Sequence, residues 1–123
     1  MIRGVVSQAA VAIVELIFDG PDGSDVAVAV GVDTGFDGDL LLPAEVIQQL
    51  QLQKLGTRDA TLADGTTVRY ENYVAIVVWD DVPKVASVLE STGAALIGMN
   101  LMQSCRLTID VLPGGEVTIS KLP

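Results

Sequence analysis

Short apolar runs with a spacing of two alternate along this chain with short polar interruptions, a pattern that predicts strands joined by turns. "QAAVAIVELIF" (8–18) and "DVAVAVGV" (25–32) are rich in Val, Ile and Ala and flank "DGPDGS". Gly, Pro and Asp suit a tight turn, so the two runs are expected to pair antiparallel. After Asp33 comes "LLLP" and then "PAEVIQQLQL", where Pro43 fits a first helical position and Val46, Ile47 and Leu50 share one face. A helix of about two or three turns is predicted there. "TRDATLA" (57–63) and "TTVRYENYVAIVVW" (66–79) flank Asp64 and Gly65, a strong hairpin signal whose second arm is long enough to overhang the body of the domain. "PKVASVLE" reads as a further strand, and "STGAALIGMNLMQS" as an apolar pair followed by a short helix opening at Gly98. "RLTIDVLPGGEVTI" reads as a closing hairpin that turns at Pro113, Gly114 and Gly115.

The expectation is an all-β fold with one or two short helices. At 123 residues, half of them hydrophobic, the chain is long enough for one domain (1–123) with a sizeable core, and no linker or repeat divides it. Sixteen acidic against seven basic residues give a net charge of −9, which would repel nucleic acid and anionic membrane surfaces. "AAVAIVELIF" is interrupted by Glu15, is too short to span a bilayer and lacks a cleavage pattern after it, so a soluble, cytoplasmic protein is expected.

Missing residue types narrow the chemistry further. There is no histidine, which excludes Ser-His-Asp and Cys-His mechanisms and removes the commonest zinc ligand. The single cysteine, Cys105, lies in strand-like sequence and is expected to be a buried structural thiol. "DGPDGSD" gathers Asp19, Asp22 and Asp25, but Pro21 occupies the third loop position and no glutamate ends the loop, so a hairpin turn is favoured over a calcium site. A catalytic site must therefore use carboxylates, hydroxyls, amides, lysines or backbone.

One carboxylate stands out. Asp33 ends the apolar approach "AVAVGV", where a buried charged group would be costly unless solvated or hydrogen-bonded. Thr34 can offer a hydroxyl, and Gly35 permits a turn whose amide N–H groups point back at the carboxylate. Asp-Thr-Gly alone is common turn chemistry. Its context is not: "LLLP" follows it, a projecting hairpin comes at "ADGT", and the apolar-apolar-Gly triplet Leu96, Ile97, Gly98 comes later.

This ordered set, over about residues 9 to 121, resembles the retropepsin-like aspartic proteases, above all short bacterial members with a D-T-G-F-x-G pattern. The resemblance implies a catalytic Asp33, a Thr34 that hydrogen-bonds across a dimer axis and a Gly35 that binds substrate backbone. It places Phe36 at the floor of the site and Asp37 on the substrate main chain. It makes Ala63, Asp64, Gly65 and Thr66 a flap over the substrate, and Leu96 and Ile97 a brace and substrate contact. Met99 stands where retroviral members carry an arginine, and Phe36 where a hydroxyl or small residue is usual.

The activity so implied is hydrolysis of peptide bonds by a homodimer, with one Asp33 from each subunit and no metal or cofactor. The partners are a peptide or protein substrate and a second copy of the chain. The absence of a hydroxyl at Phe36 predicts an optimum at mildly rather than strongly acidic pH. The alternative is a non-catalytic dimeric module that holds a peptide in the same groove.

Overall fold

The structure, a computed structural model, describes residues 1–61 and 64–123 and contains ten strands and one helix among them. β2 (Ala12–Asp19) and β3 (Asp25–Val32) form the expected antiparallel hairpin, from Ile13 opposite Gly31 to Asp19 opposite Asp25. At its turn Asp22 accepts hydrogen bonds from the N–H and hydroxyl of Ser24, which is ordinary turn chemistry and holds the Asp22 carboxyl below its usual range.

β6 (Thr67–Trp79) and β7 (Val82–Ser91) make a second long antiparallel pair. β7 then pairs in parallel with β4 (Leu40–Pro43), β4 with β8 (Leu96–Ile97), and β8 in parallel with β3. Because β2 also meets β6, at Ile17–Val78 and Phe18–Val77, these six strands close into a ring. Alternation then decides which side chains face inward. Val14, Leu16, Phe18, Val30, Val77 and Val88 are fully buried inside the ring, while Glu15 and Ile76 point out. Burying each of the larger apolar side chains contributes about 1.5–3 kcal/mol, which makes this interior the main source of stability.

Two extensions leave the ring. β5 (Gln53–Thr61) pairs only with β6, with a bulge between Lys54 and Gly56, and forms one edge of the sheet. Its mostly exposed Gln, Lys, Arg and Asp residues suit an edge strand, because charge discourages pairing with foreign strands. From the first half of β2 the sheet continues through β1 (Ile2–Val6) and β10 (Glu116–Lys121) to β9 (Cys105–Ile109). β9 and β10 are the predicted closing hairpin, with Gly114 in the left-handed region at φ 80°.

Several details differ from expectation. β1 is a strand that the apolar pattern does not announce. α1 (Ala44–Leu50) forms with Ile47 and Leu50 buried, but Pro43 sits at its N-cap, in extended backbone, and the helix ends at Gln51 in left-handed conformation. The helix expected after Gly98 is absent. Residues 99–104 are successive turns, with Gln103 N–H donating to the Asn100 carbonyl and Cys105 N–H to that of Met102, and Ser104 at φ 64° ends the segment. A run this short, directed at once into β9, offers no i→i−4 ladder. Cys105 is half-buried rather than buried, packed against the core beside a cavity of about 520 Å³ between the β6–β7 turn and the ends of β1, β9 and β10. Among the described residues, none of the predicted site residues lines that cavity. Among the described residues no helix is long and apolar enough to cross a membrane.

Candidate active site

The site begins with topology. β8 lies between β3 and β4, and the loop 33–39 leaves β3 on one side of it and returns through β4 on the other. A two-residue strand thus grips both ends of the loop. Asp33 N–H donates to the Ile97 carbonyl (3.0 Å), and Gly98 N–H donates to the Asp39 carbonyl (2.9 Å). The next two amides continue the grip, from Met99 to the Phe36 carbonyl (2.8 Å) and from Asn100 to the Gly38 carbonyl (3.1 Å).

Within the loop the chain makes a turn from Asp33 to Phe36, whose N–H donates to the Asp33 carbonyl (3.2 Å). The Asp33 carboxylate accepts the Gly35 N–H at 2.9 Å, as the Asp-Thr-Gly sequence suggests. The Thr34 hydroxyl is not part of that cradle. Thr34 is exposed, and among the described residues its side chain makes no hydrogen bond. Asp33 itself is half-buried, so its carboxylate remains open to solvent on one side.

Phe36 packs its ring over two glycines. A Cβ at Gly38 would lie 2.5 Å from the ring, and one at Gly98 would lie 2.5 Å from the ring and 2.3 Å from the Gly38 carbonyl oxygen. Phe36 is therefore an internal wedge of the loop as well as part of its surface. Asp37 is exposed, with no side-chain partner among the described residues. Met99 is about half exposed beside the loop (49%).

The β5–β6 hairpin leaves space on both sides. A cavity of about 210 Å³ separates Phe36, Asp37 and Asp39 from Arg58, Asp59 and Thr61 of β5, with Ser87 and Leu89 of β7 at its base. A second, about 410 Å³, runs between Val68–Glu71 of β6 and the segment from Glu90 to Leu96. Both acidic side chains of its lining have partners outside it: Glu71 makes an ion pair with Lys54, which raises the Lys54 ammonium above its usual range. The Tyr73 hydroxyl donates to Glu90 (3.2 Å), and desolvation, aided by the Glu90 charge, raises the phenol.

At the hairpin tip Asp64 accepts the Thr66 N–H (2.9 Å) and hydroxyl (2.6 Å), which holds its carboxyl below the usual range, and Gly65 takes φ 87°. Thr61 pairs with Thr67, so the connection between them is longer than a two-residue Asp-Gly turn. Ala63 lies outside the described residues.

The structure thus brings together Asp33, Thr34, Gly35, Phe36 and Asp37 on one loop, with Leu96 and Ile97 beneath it. Leu96 is half-buried and reaches the second cavity, whereas Ile97 is fully buried, so it braces the loop through its carbonyl and does not face a groove. Asp64, Gly65 and Thr66 line neither cavity. Sequence reasoning missed Asp39, whose carboxylate accepts the Ser87 N–H (2.9 Å) and the Asn100 side-chain amide (2.7 Å). The available signal was the one used for Asp33, a carboxylate next to a buried apolar run.

No protein-family model matches the sequence, and no curated protein matches it. The chain is similar to a solved structure, the crystal structure of a retropepsin-like aspartic protease from Rickettsia conorii. The TM-score is 0.65 and the sequence identity 16%, over 97% of this chain and 88% of that one. At that identity the likeness is one of backbone architecture, and it extends over nearly the whole chain. The closed ring, the hairpin beyond it and the Asp33 loop threaded around β8 together make the fold of this chain that of the retropepsin-like aspartic proteases.

Proposed function

We propose that the chain is an aspartic endopeptidase, active as a homodimer in which two Asp33 side chains meet on a two-fold axis. The observation that carries this reading is the placement of Asp33: a half-buried carboxylate, cradled by the Gly35 amide, on a loop gripped at both ends by β8 within this fold. One chain supplies one such carboxylate, and the chemistry needs two, so an isologous pair of subunits completes the site.

Two carboxylates a few ångströms apart do not both ionise readily, so the pair shares a proton. The charged one takes a proton from a water molecule, whose oxygen attacks the scissile carbonyl carbon. The protonated one hydrogen-bonds the carbonyl oxygen as it gains charge. Collapse of the tetrahedral species breaks the C–N bond as the leaving nitrogen takes the proton that the first carboxylate removed from water. The substrate lies as an extended strand beneath the β5–β6 hairpin, with side chains directed into the two flanking cavities and its main chain near Gly35 and Asp37.

The test is cleavage of an unfolded protein across about pH 4 to 7, the range for a carboxylate pair without a supporting hydroxyl. Wild type and Asp33→Asn are compared at concentrations where sedimentation shows dimers of both. Wild type should cleave, with a mildly acidic maximum, and Asp33→Asn should fall by at least about 10²-fold. Equal cleavage by both would remove Asp33 from the chemistry. No cleavage by either dimer would favour a peptide-holding module instead.

A further inference from the structure

We infer that Asp39 is the positioning residue of the site, a clamp that fixes the outgoing limb of the Asp33 loop to two other parts of the fold. The inference rests on the protease reading for its effect on rate, although the clamp itself is a matter of geometry.

Asp39 stands one residue before β4. From Leu40 onward, parallel pairing with β7 sets Leu40 opposite Val88. One position earlier the backbone ladder has not begun, and the Asp39 side chain takes its place: one carboxylate oxygen accepts the Ser87 N–H at 2.9 Å. The other accepts the Asn100 side-chain amide at 2.7 Å, and the Asp39 backbone carbonyl accepts the Gly98 N–H at 2.9 Å. Ser87 is held in turn, its hydroxyl donating to the Asn72 side chain at 2.9 Å. A single residue six positions after Asp33 therefore joins the loop to β7, to the turn after β8 and, through Ser87, to β6.

The chemistry of the pairing is specific. Two donors from different elements converge on one side chain, which must accept from both at once, and a carboxylate does so without rearrangement. Both oxygens are occupied, unlike those of exposed Asp37. Asp39 thus acts on the reaction through the loop and not by touching the reacting atoms. Two Asp33 carboxylates must meet across an axis within hydrogen-bonding reach, where a misplacement of about 1 Å costs on the order of 100-fold in rate.

The donor and acceptor pattern supplies its own test, an exchange of the pair. Asp39→Asn with Asn100→Asp keeps every bond: the amide oxygen at 39 accepts the Ser87 N–H, and its NH₂ donates to the carboxylate at 100. Asn100→Asp alone sets two carboxylates face to face, and Asp39→Ala leaves both donors unpaired. In both single variants kcat should fall by about 10- to 100-fold with KM little changed. Backbone amides of residues 33–39 should exchange about tenfold faster or more. The exchanged pair should restore both.

If Asp39→Ala leaves exchange and kcat at wild-type values, the clamp does not position the loop and the inference is wrong. If the exchanged pair fails to recover protection in 33–39, the Asp39–Asn100 bond is not the operative one. If wild type cleaves nothing, the protease reading fails alone, because the exchange measurement still decides the clamp. Asp39→Asn alone, the mildest change, should lie between wild type and Asp39→Ala; equality with Asp39→Ala would show that no flip of the Asn100 amide compensates.

Discussion

Asp33 and Asp64 each open a turn, and each accepts a hydrogen bond at 2.9 Å from the backbone amide two residues on. Their surroundings are opposite. Around Asp33, carbonyls at 36, 38 and 39 are held by amides at 98, 99 and 100, and the Phe36 ring fills the space over two glycines. Among the described residues the bonds around Asp64 are local, to Thr66, and nothing comes within 4 Å of where a Cβ at Gly65 would stand. The same short-range device therefore serves a loop fixed by long-range contacts in one place and, in the other, a tip whose bonds among the described residues stay within its own hairpin. Local bonding shapes a turn; distant partners immobilise it. The proteolytic site proposed above would need both kinds, a carboxylate that stays put and a cover that yields to substrate.

The largest expected effect comes from loosening the fixed side. Gly98→Ala sets a Cβ 2.3 Å from the Gly38 carbonyl oxygen and 2.8 Å from that of Phe36. These are backbone atoms, so the loop and the turn after β8 must part, at a cost of about 3 kcal/mol. Urea unfolding should show that loss at an unchanged slope. A loss below about 1 kcal/mol would mean that the brace slides freely, and the contrast between the two regions would collapse.

That contrast also separates what the amino-acid sequence discloses from what it hides. The β2–β3, β5–β6 and β9–β10 hairpins are legible because period-two apolar runs flank Gly, Pro and Asp within a few residues. β1 is not: "IRGVV" has no clean alternation, and it becomes a strand because β10 and β2 lie on either side of it, with Gly4 so close to Ile13 that a Cβ would stand 1.8 Å from that carbonyl oxygen. The segment 99–104 reads as a short helix opening at Gly98, whereas tertiary bonds from Met99 and Asn100 commit it to the Asp33 loop. Asp33 itself is visible through its motif. Asp39 has the same place beside a buried apolar run but no motif, and its role is hidden because its partners lie 48 and 61 residues away and have no pattern of their own.

On the yielding side, Gly65→Ala should cost about 1 kcal/mol, from left-handed backbone strain at φ 87° and not from crowding. The loss should stay in the hairpin, with amide exchange in 33–39 unchanged. Faster exchange in that loop would show that the tip and the Asp33 loop are coupled, a link that the bonds among the described residues do not provide.

The smallest expected effect is electrostatic and concerns Asp64. Its carboxyl titrates below the ordinary aspartate value of 3.8 because the Thr66 hydroxyl and N–H donate to the charged form. A depressed folded value means that its contribution is present at pH above the unfolded value and is lost as pH falls through the folded one. The tip should therefore be fully formed throughout the mildly acidic range proposed for catalysis and loosen only in stronger acid. The Thr66 amide resonance, followed by NMR as pH is lowered, should titrate with a midpoint below 3.8, and Thr66→Val should move that midpoint up. A midpoint at or above 3.8 would show that the tip bonds do not persist in solution.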